Sequence, residues 1–171
     1  MPVMTRKRSK DPVTAATTSF LWPYLKSQGF VKSTTRNFSK EVNGFFQQVW
    51  IDANGFSGKE SVRVHYNVMP VAEANVASYS VGDGIDSWDM STHELADESM
   101  QDVVVLLGSE LLPKMDSFSN YESYITQFND YGSGNDEYKQ STLSKMSRWK
   151  TSDFNAEELE KIDANRKKLR L

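Results

Sequence analysis

Three carboxylates crowd one short stretch, VGDGIDSWDM, where Asp83, Asp86 and Asp89 recur at every third position. Closely spaced acids on a loop form the oxygen-rich arrangement that Ca²⁺ or Mg²⁺ takes. The spacing departs from the EF-hand pattern, which needs acids at alternate positions, because Ile85 breaks that alternation. Joined by His65, the Asp83 and Asp86 carboxylates would suit a metal-assisted hydrolase of unrecognised type, with the imidazole as general base. No second histidine stands at metal spacing from His65 and no nucleophile is paired with it; His93, the other histidine, falls in a capping turn. The competing reading is a solvated acidic loop. On balance no catalytic residue, metal or cofactor is expected.

Other chemistries are excluded more firmly. The chain has no cysteine, which removes disulfides, thiolate catalysis, iron–sulfur clusters and cysteine-ligated zinc, and which fits a reducing cytoplasm. NGFSGKE carries Gly55, Gly58 and Lys59 but lacks the length and the strand-to-helix setting of a P-loop, and YGSGNDE places acids where a phosphate site wants donors. No G-x-S-x-G turn occurs among the many serines.

Charge is the clearest pattern. The net charge is only −3, yet residues 1–40 hold eight Lys or Arg against the single acid Asp11. Between His65 and Pro113 the balance reverses: Glu73, Asp83, Asp86, Asp89, Glu94, Asp97, Glu98, Asp102 and Glu110 occur with no Lys or Arg among them. Such asymmetry speaks to association rather than to fold. The basic amino end, TRKRSK, continued by Lys26, Lys32, Arg36 and Lys40, is the one region suited to nucleic acid. No apolar run of signal-peptide or membrane-span length is present, so a soluble, cytoplasmic protein is expected.

The elements that would position these groups follow from periodicity. Phe20, Leu21, Tyr24 and Leu25 share one helical face, Gly29 supplies a left-handed stop, and Pro23 implies that a new helical segment begins near Ser19. Asp11-Pro12 could open an earlier turn. Residues 35–81 read as an antiparallel sheet of about four strands: TRNFSKEV and FFQQVWID joined by Asn43-Gly44, then ESVRVHYNVM with Val62, Val64, Tyr66 and Val68 on one face, then the weaker NVASYSV. Farther on, Ser91 with Glu94, Ser99 with Asp102, Ser119 with Glu122 and Asn155 with Glu158 have capping spacing, and Pro113 is expected to stop the helix that ends in Leu111 and Leu112. The layout predicted is an α+β fold, with an N-terminal helix and three to four C-terminal helices packed on one face of the sheet. Its parts are a flexible basic tail over 1–18, a core domain over 19–129 and a helical extension over 130–171.

Leu21-x-Pro23-x-Leu25-Lys26-x-x-Gly29-Phe30-x-Lys32 followed by Phe38, then Asp86-x-Trp88, then Leu112-Pro113 with Asp116 and the helix from Ser119, resembles a bacterial domain-of-unknown-function family, the one numbered forty-three-zero-four. Order and spacing match over about residues 20–128. The chain departs from that pattern at Trp88-Asp89, where the family is commonly doubly aromatic. The resemblance implies a bacterial origin and an α+β fold; the family brings no established activity.

The function these features predict is a non-catalytic protein-binding module. Its candidate contact residues are Asp83, Asp86, Trp88 and Asp89 on the acidic loop, and Lys26, Lys32 and Arg36 on the basic strip. An immunity or antitoxin role would suit an acidic surface, since toxin nucleases are often basic. Nucleic-acid binding through the basic N-terminal region is the other alternative to the hydrolase.

Overall fold

A computed structural model describes residues 9–54, 58–73, 81–130 and 136–171. The expected strand over 75–80, Gly55, the TRKR of the basic tail and the YGSGN break lie outside these residues. Asp11 opens the chain's first helix by accepting a hydrogen bond from the Thr14 amide (3.0 Å), with Pro12 at the position where its missing N–H costs nothing. Helix α1 (Pro12–Ala16) runs through a π turn (Thr17–Leu21) into α2 (Trp22–Ser27) without a break. The helix therefore begins inside the segment read as a tail, and no new segment starts at Ser19. The π turn, closed by the Trp22 amide on the Thr17 carbonyl, is the relief that Pro23 requires: the carbonyl a proline would clash with is moved aside.

The same device recurs at Pro113. Helix α3 (His93–Leu106) passes through a second π turn (Leu107–Leu111) into α4 (Leu112–Phe118), so this proline bends the helix register without stopping it. The paired helices pack along each other, closely enough at Gly108 that an added Cβ would lie 2.8 Å from the Tyr24 hydroxyl oxygen.

The sheet is a five-stranded antiparallel meander in chain order: β1 (Val31–Thr34), β2 (Asn37–Val42), β3 (Phe45–Asp52), β4 (Val62–Pro70) and β5 (Val81–Trp88). Asn43 and Gly44 take φ of 53° and 82° and make the tight β2–β3 turn their types predict. Two corrections concern the edges. A short strand, β1, precedes the region assigned to the sheet, and VGDGIDSW, expected to be a loop, is the opposite edge strand.

Alternation divides the sheet into two faces. Phe38, Phe45, Val49, Val64, Tyr66 and Val68 are buried on one, against helices: Phe45 meets Tyr121 and Tyr124 of α5 (Tyr121–Asp130), and Gln47 donates to Asp116 of α4 and to the Ser119 hydroxyl, 2.8 Å each. The serine predicted to cap α5 is thus turned inward, and Asn120 accepts from the Ser123 amide instead. At α3 the cap is likewise one residue late, Thr92 rather than Ser91. Ser99 caps nothing: it lies inside α3, its hydroxyl donating to the Asp89 carbonyl.

The last helices differ from the one-sided layout. Helices α6 (Asp136–Trp149) and α7 (Ala156–Leu169) are joined by a bidentate Arg148–Glu158 pair and by the capping box of Asn155 and Glu158. Helix α7 reaches the reverse face: Arg166 grips Glu41 at 2.7 and 2.9 Å, and Asn165 donates to the carbonyls of Val71 and Glu73. Met146, Trp149, Ile162 and Leu169 belong to the same core as the sheet. Residues 136–169 are therefore packed into the domain rather than appended to it.

Candidate functional site

Asp83 lies in β5 opposite Tyr66, and its side chain is outside the described part; His65 pairs with Gly84, so the Asp83 and His65 positions belong to opposite faces. Asp86 is exposed at φ 39°, where the register shifts near the end of β5. Trp88 is the last residue of that strand and is half-buried against the core, not displayed on a loop. Asp89 accepts from both the hydroxyl and the amide of Ser91 (2.6 and 2.9 Å), and these two bonds hold its carboxyl below the usual carboxylate range. Among the described residues no group of three His, Asp or Glu could hold a metal ion. His65 stacks on Trp50 with ring centroids 5.2 Å apart and lies 3.7 Å from Asp52.

The basic strip is largely committed within the fold. Arg36 pairs with Asp11 at 2.7 Å, Lys32 lies over the Trp22 ring, and Lys40 lies over Phe30 while donating to the Gln28 carbonyl; Lys26 is exposed. Asp11 also meets Lys59 at 2.7 Å, so one carboxylate joins α1, the β1–β2 turn and the 3-10 turn Gly58–Ser61. Burial by itself would push this carboxyl up; Lys59, Thr14 and Arg36 outweigh it and hold it far below its ordinary value. A lowered folded-state pKa gives stability that is complete above the ordinary carboxylate range and is lost as pH falls through it. Asp11→Ala should cost about 2 kcal/mol by loss of cap and ion pairs, and Asp11→Asn, which keeps the cap, about half as much. Urea melts of both variants check this, and the Ala variant should show a weaker loss of stability below pH 4 than the parent.

The acidic middle of the chain acquires a shape. On α3, Ala96, Met100 and Val103 are buried, and the opposite stripe presents Glu94, Glu98, Gln101 and Asp102 to solvent. Val105 lies on that stripe and is 68% exposed, the most exposed large apolar side chain among the described residues. Among the described residues Glu94, Glu98 and Asp102 have no cationic partner, in contrast to Asp11, Glu41, Glu157 and Glu158. The stripe is legible as a one-sign run, but Val105 at its C-terminal end falls in an apolar run that reads as core.

A concave surface lies elsewhere on the domain. On the reverse face of the sheet, the space left beside α7 is a cavity of about 430 Å³ lined by Ser33, Ser39, Gln48, Trp50, Lys168 and Leu169, among others. The signal lay in the polar pair Gln47-Gln48 at mid-strand and in Trp50 at an alternate position two residues on. Among the described residues no helix is long and apolar enough to cross a membrane. Comparison of the chain with protein-family models, with curated proteins and with solved structures finds no match.

Proposed function

We propose that the protein is a non-catalytic binding module that engages a basic protein through the outward stripe of α3. The observation that carries this reading is one outward face of α3 on which Glu94, Glu98 and Asp102, without a cationic partner among the described residues, lead along the helix to exposed Val105 near its C-terminal end. Like charges four residues apart on a helix are destabilising by about 0.2–0.5 kcal/mol per pair. Glu94–Glu98 and Glu98–Asp102 are two such pairs, so the stripe is maintained against a local stability cost. An exposed apolar side chain beside a one-sign run suits an interface in which the apolar contact supplies affinity and the charge supplies steering. An immunity- or antitoxin-like role, in a bacterial cytoplasm, is the biological setting this surface and the absence of cysteine support best.

Two results test the reading. Glu98→Lys should stabilise the isolated protein by about 0.5–1 kcal/mol, because both repulsive pairs become attractive, and thermal melts measure it. The Glu94→Lys, Glu98→Lys, Asp102→Lys variant should remain folded and lose the partner that the parent retains in affinity capture from its native cell. Equal retention of that partner by parent and reversed variant would remove the stripe as the binding surface.

A further inference from the structure

The cavity beside α7 is independent of the α3 stripe, and we infer that it binds a small ring-bearing anion, a carboxylate or a phosphate ester. Its volume, about 430 Å³, falls in the range of small-molecule sites. Its polar lining is neutral hydroxyls and amides with one cation, Lys168. Ser39 is 1% exposed and its hydroxyl has no hydrogen-bond partner among the described residues. The hydroxyl is therefore available at the cavity wall to hydrogen-bond a ligand. Gln48, 9% exposed, accepts from the Asn67 amide (3.1 Å) through its carbonyl oxygen, which leaves its NH₂ group as a donor at the cavity wall. Lys168 lines the mouth, and no ion pair engages it among the described residues.

No carboxylate lines this cavity. The last turn of α7 carries Arg166, Lys167 and Lys168, of which Arg166 is committed to Glu41. Two cations remain there, which outweigh the partial negative charge of roughly half an electron at a helix C-terminus. Trp50 and Leu169 supply the apolar wall. An anion on Lys168 and an acceptor edge toward Ser39 and Gln48 would engage these three groups in one pose, with the ring against the apolar wall. The donors also decide against a cation, which would find no acceptor charge in the lining.

The test uses the full ¹⁵N-labelled chain titrated with AMP and with benzoate, beside their neutral counterparts adenosine and benzamide. One or both anions should shift the amides of Ser39 and Gln48 and the Trp50 indole while leaving the outward residues of α3 unmoved, and the neutral counterpart should bind at least about tenfold more weakly. Response to AMP alone assigns a phosphate ester, and response to benzoate alone a carboxylate. Lys168→Ala, an exposed change that leaves the core intact, should weaken binding about tenfold, and Ser39→Ala should weaken it without altering the rest of the spectrum. No shift with either anion, equal binding of the neutral compounds, or binding unchanged in both variants would overturn the inference. None of these outcomes bears on the α3 stripe, whose failure is read from partner capture.

Discussion

A chain ending at residue 155 will fail to hold its fold at room temperature. Loss of α7 removes Ile162 and Leu169 from the core, breaks the Arg166–Glu41 pair and frees the Val71 and Glu73 carbonyls that Asn165 satisfies. Truncating a buried Ile or Leu costs about 2–5 kcal/mol. Phe46 and Met69, both fully buried on the reverse face, would add about 1.5–3 kcal/mol each if wetted. The sum, on the order of 10 kcal/mol, is comparable with the entire stability of a domain of this size. Circular dichroism melts of the truncated and full chains measure it directly. A truncated chain with an unchanged cooperative melt would show that the last helix only decorates the sheet.

The second large effect concerns the pair that fastens α6 to α7. Glu158 is 5% exposed, and its carboxylate receives Arg148 at 2.6 and 3.2 Å and the Asn155 amide at 3.0 Å. Burial alone would push this carboxyl up; Arg148 and Asn155 overcome that and hold it below its ordinary value. Removing one member of a buried pair costs about 3–5 kcal/mol, because the other charge is stranded. Arg148→Ala should therefore cost about 2–3 kcal/mol at neutral pH, less than that range because the Asn155 amide stays and the arginine is partly solvated. The pH dependence has a definite sign. With its folded-state pKa lowered, Glu158 contributes stability that is complete above the ordinary value of about 4.5 and fades as pH falls through and below it. In the variant, burial without arginine raises the carboxyl, so the stability gap between parent and variant should be widest at neutral pH and close under acid. A gap that stays constant from pH 7 to pH 3 would mean that Arg148 acts by packing alone.

Much of this fold could be read along the chain, wherever local chemistry decides. Asn43-Gly44 accepts positive φ, β4 alternates, Gly29 ends its helix at φ 87°, and Asn155 with Glu158 makes the capping box their spacing implies. What was misread depends on partners far away in sequence. Gly82, Asp83, Gly84 and Asp86 have low strand propensity and looked like a loop; pairing with β4 overrides that preference. Pro23 and Pro113 looked like helix breaks, and only a π turn before each keeps the helix continuous. The early serine was chosen as the cap at α3 and α5, although Ser91 bonds Asp89 and Ser119 bonds Gln47.

The candidate surfaces divide along the same line. The acidic run was visible, because charge sign needs no fold, but its grouping with Val105 needs the helix. The cavity was invisible: Ser39 on β2, Gln48 on β3 and Lys168 on α7 meet only through strand register and the return of the last helix across the sheet. The basic strip was overvalued for a related reason. Lys32, Arg36 and Lys40 looked outward in sequence, and each finds a ring or carboxylate within the fold.

The most direct test of the binding role is a ¹H–¹⁵N spectrum of the full chain with and without the partner recovered by affinity capture. The amides of Glu94, Glu98, Gln101, Asp102 and Val105 should move together on titration, with the effect weakening as salt rises, while Ser39 and Gln48 stay in place. Perturbation confined to any other face, with those α3 resonances unmoved, would contradict it.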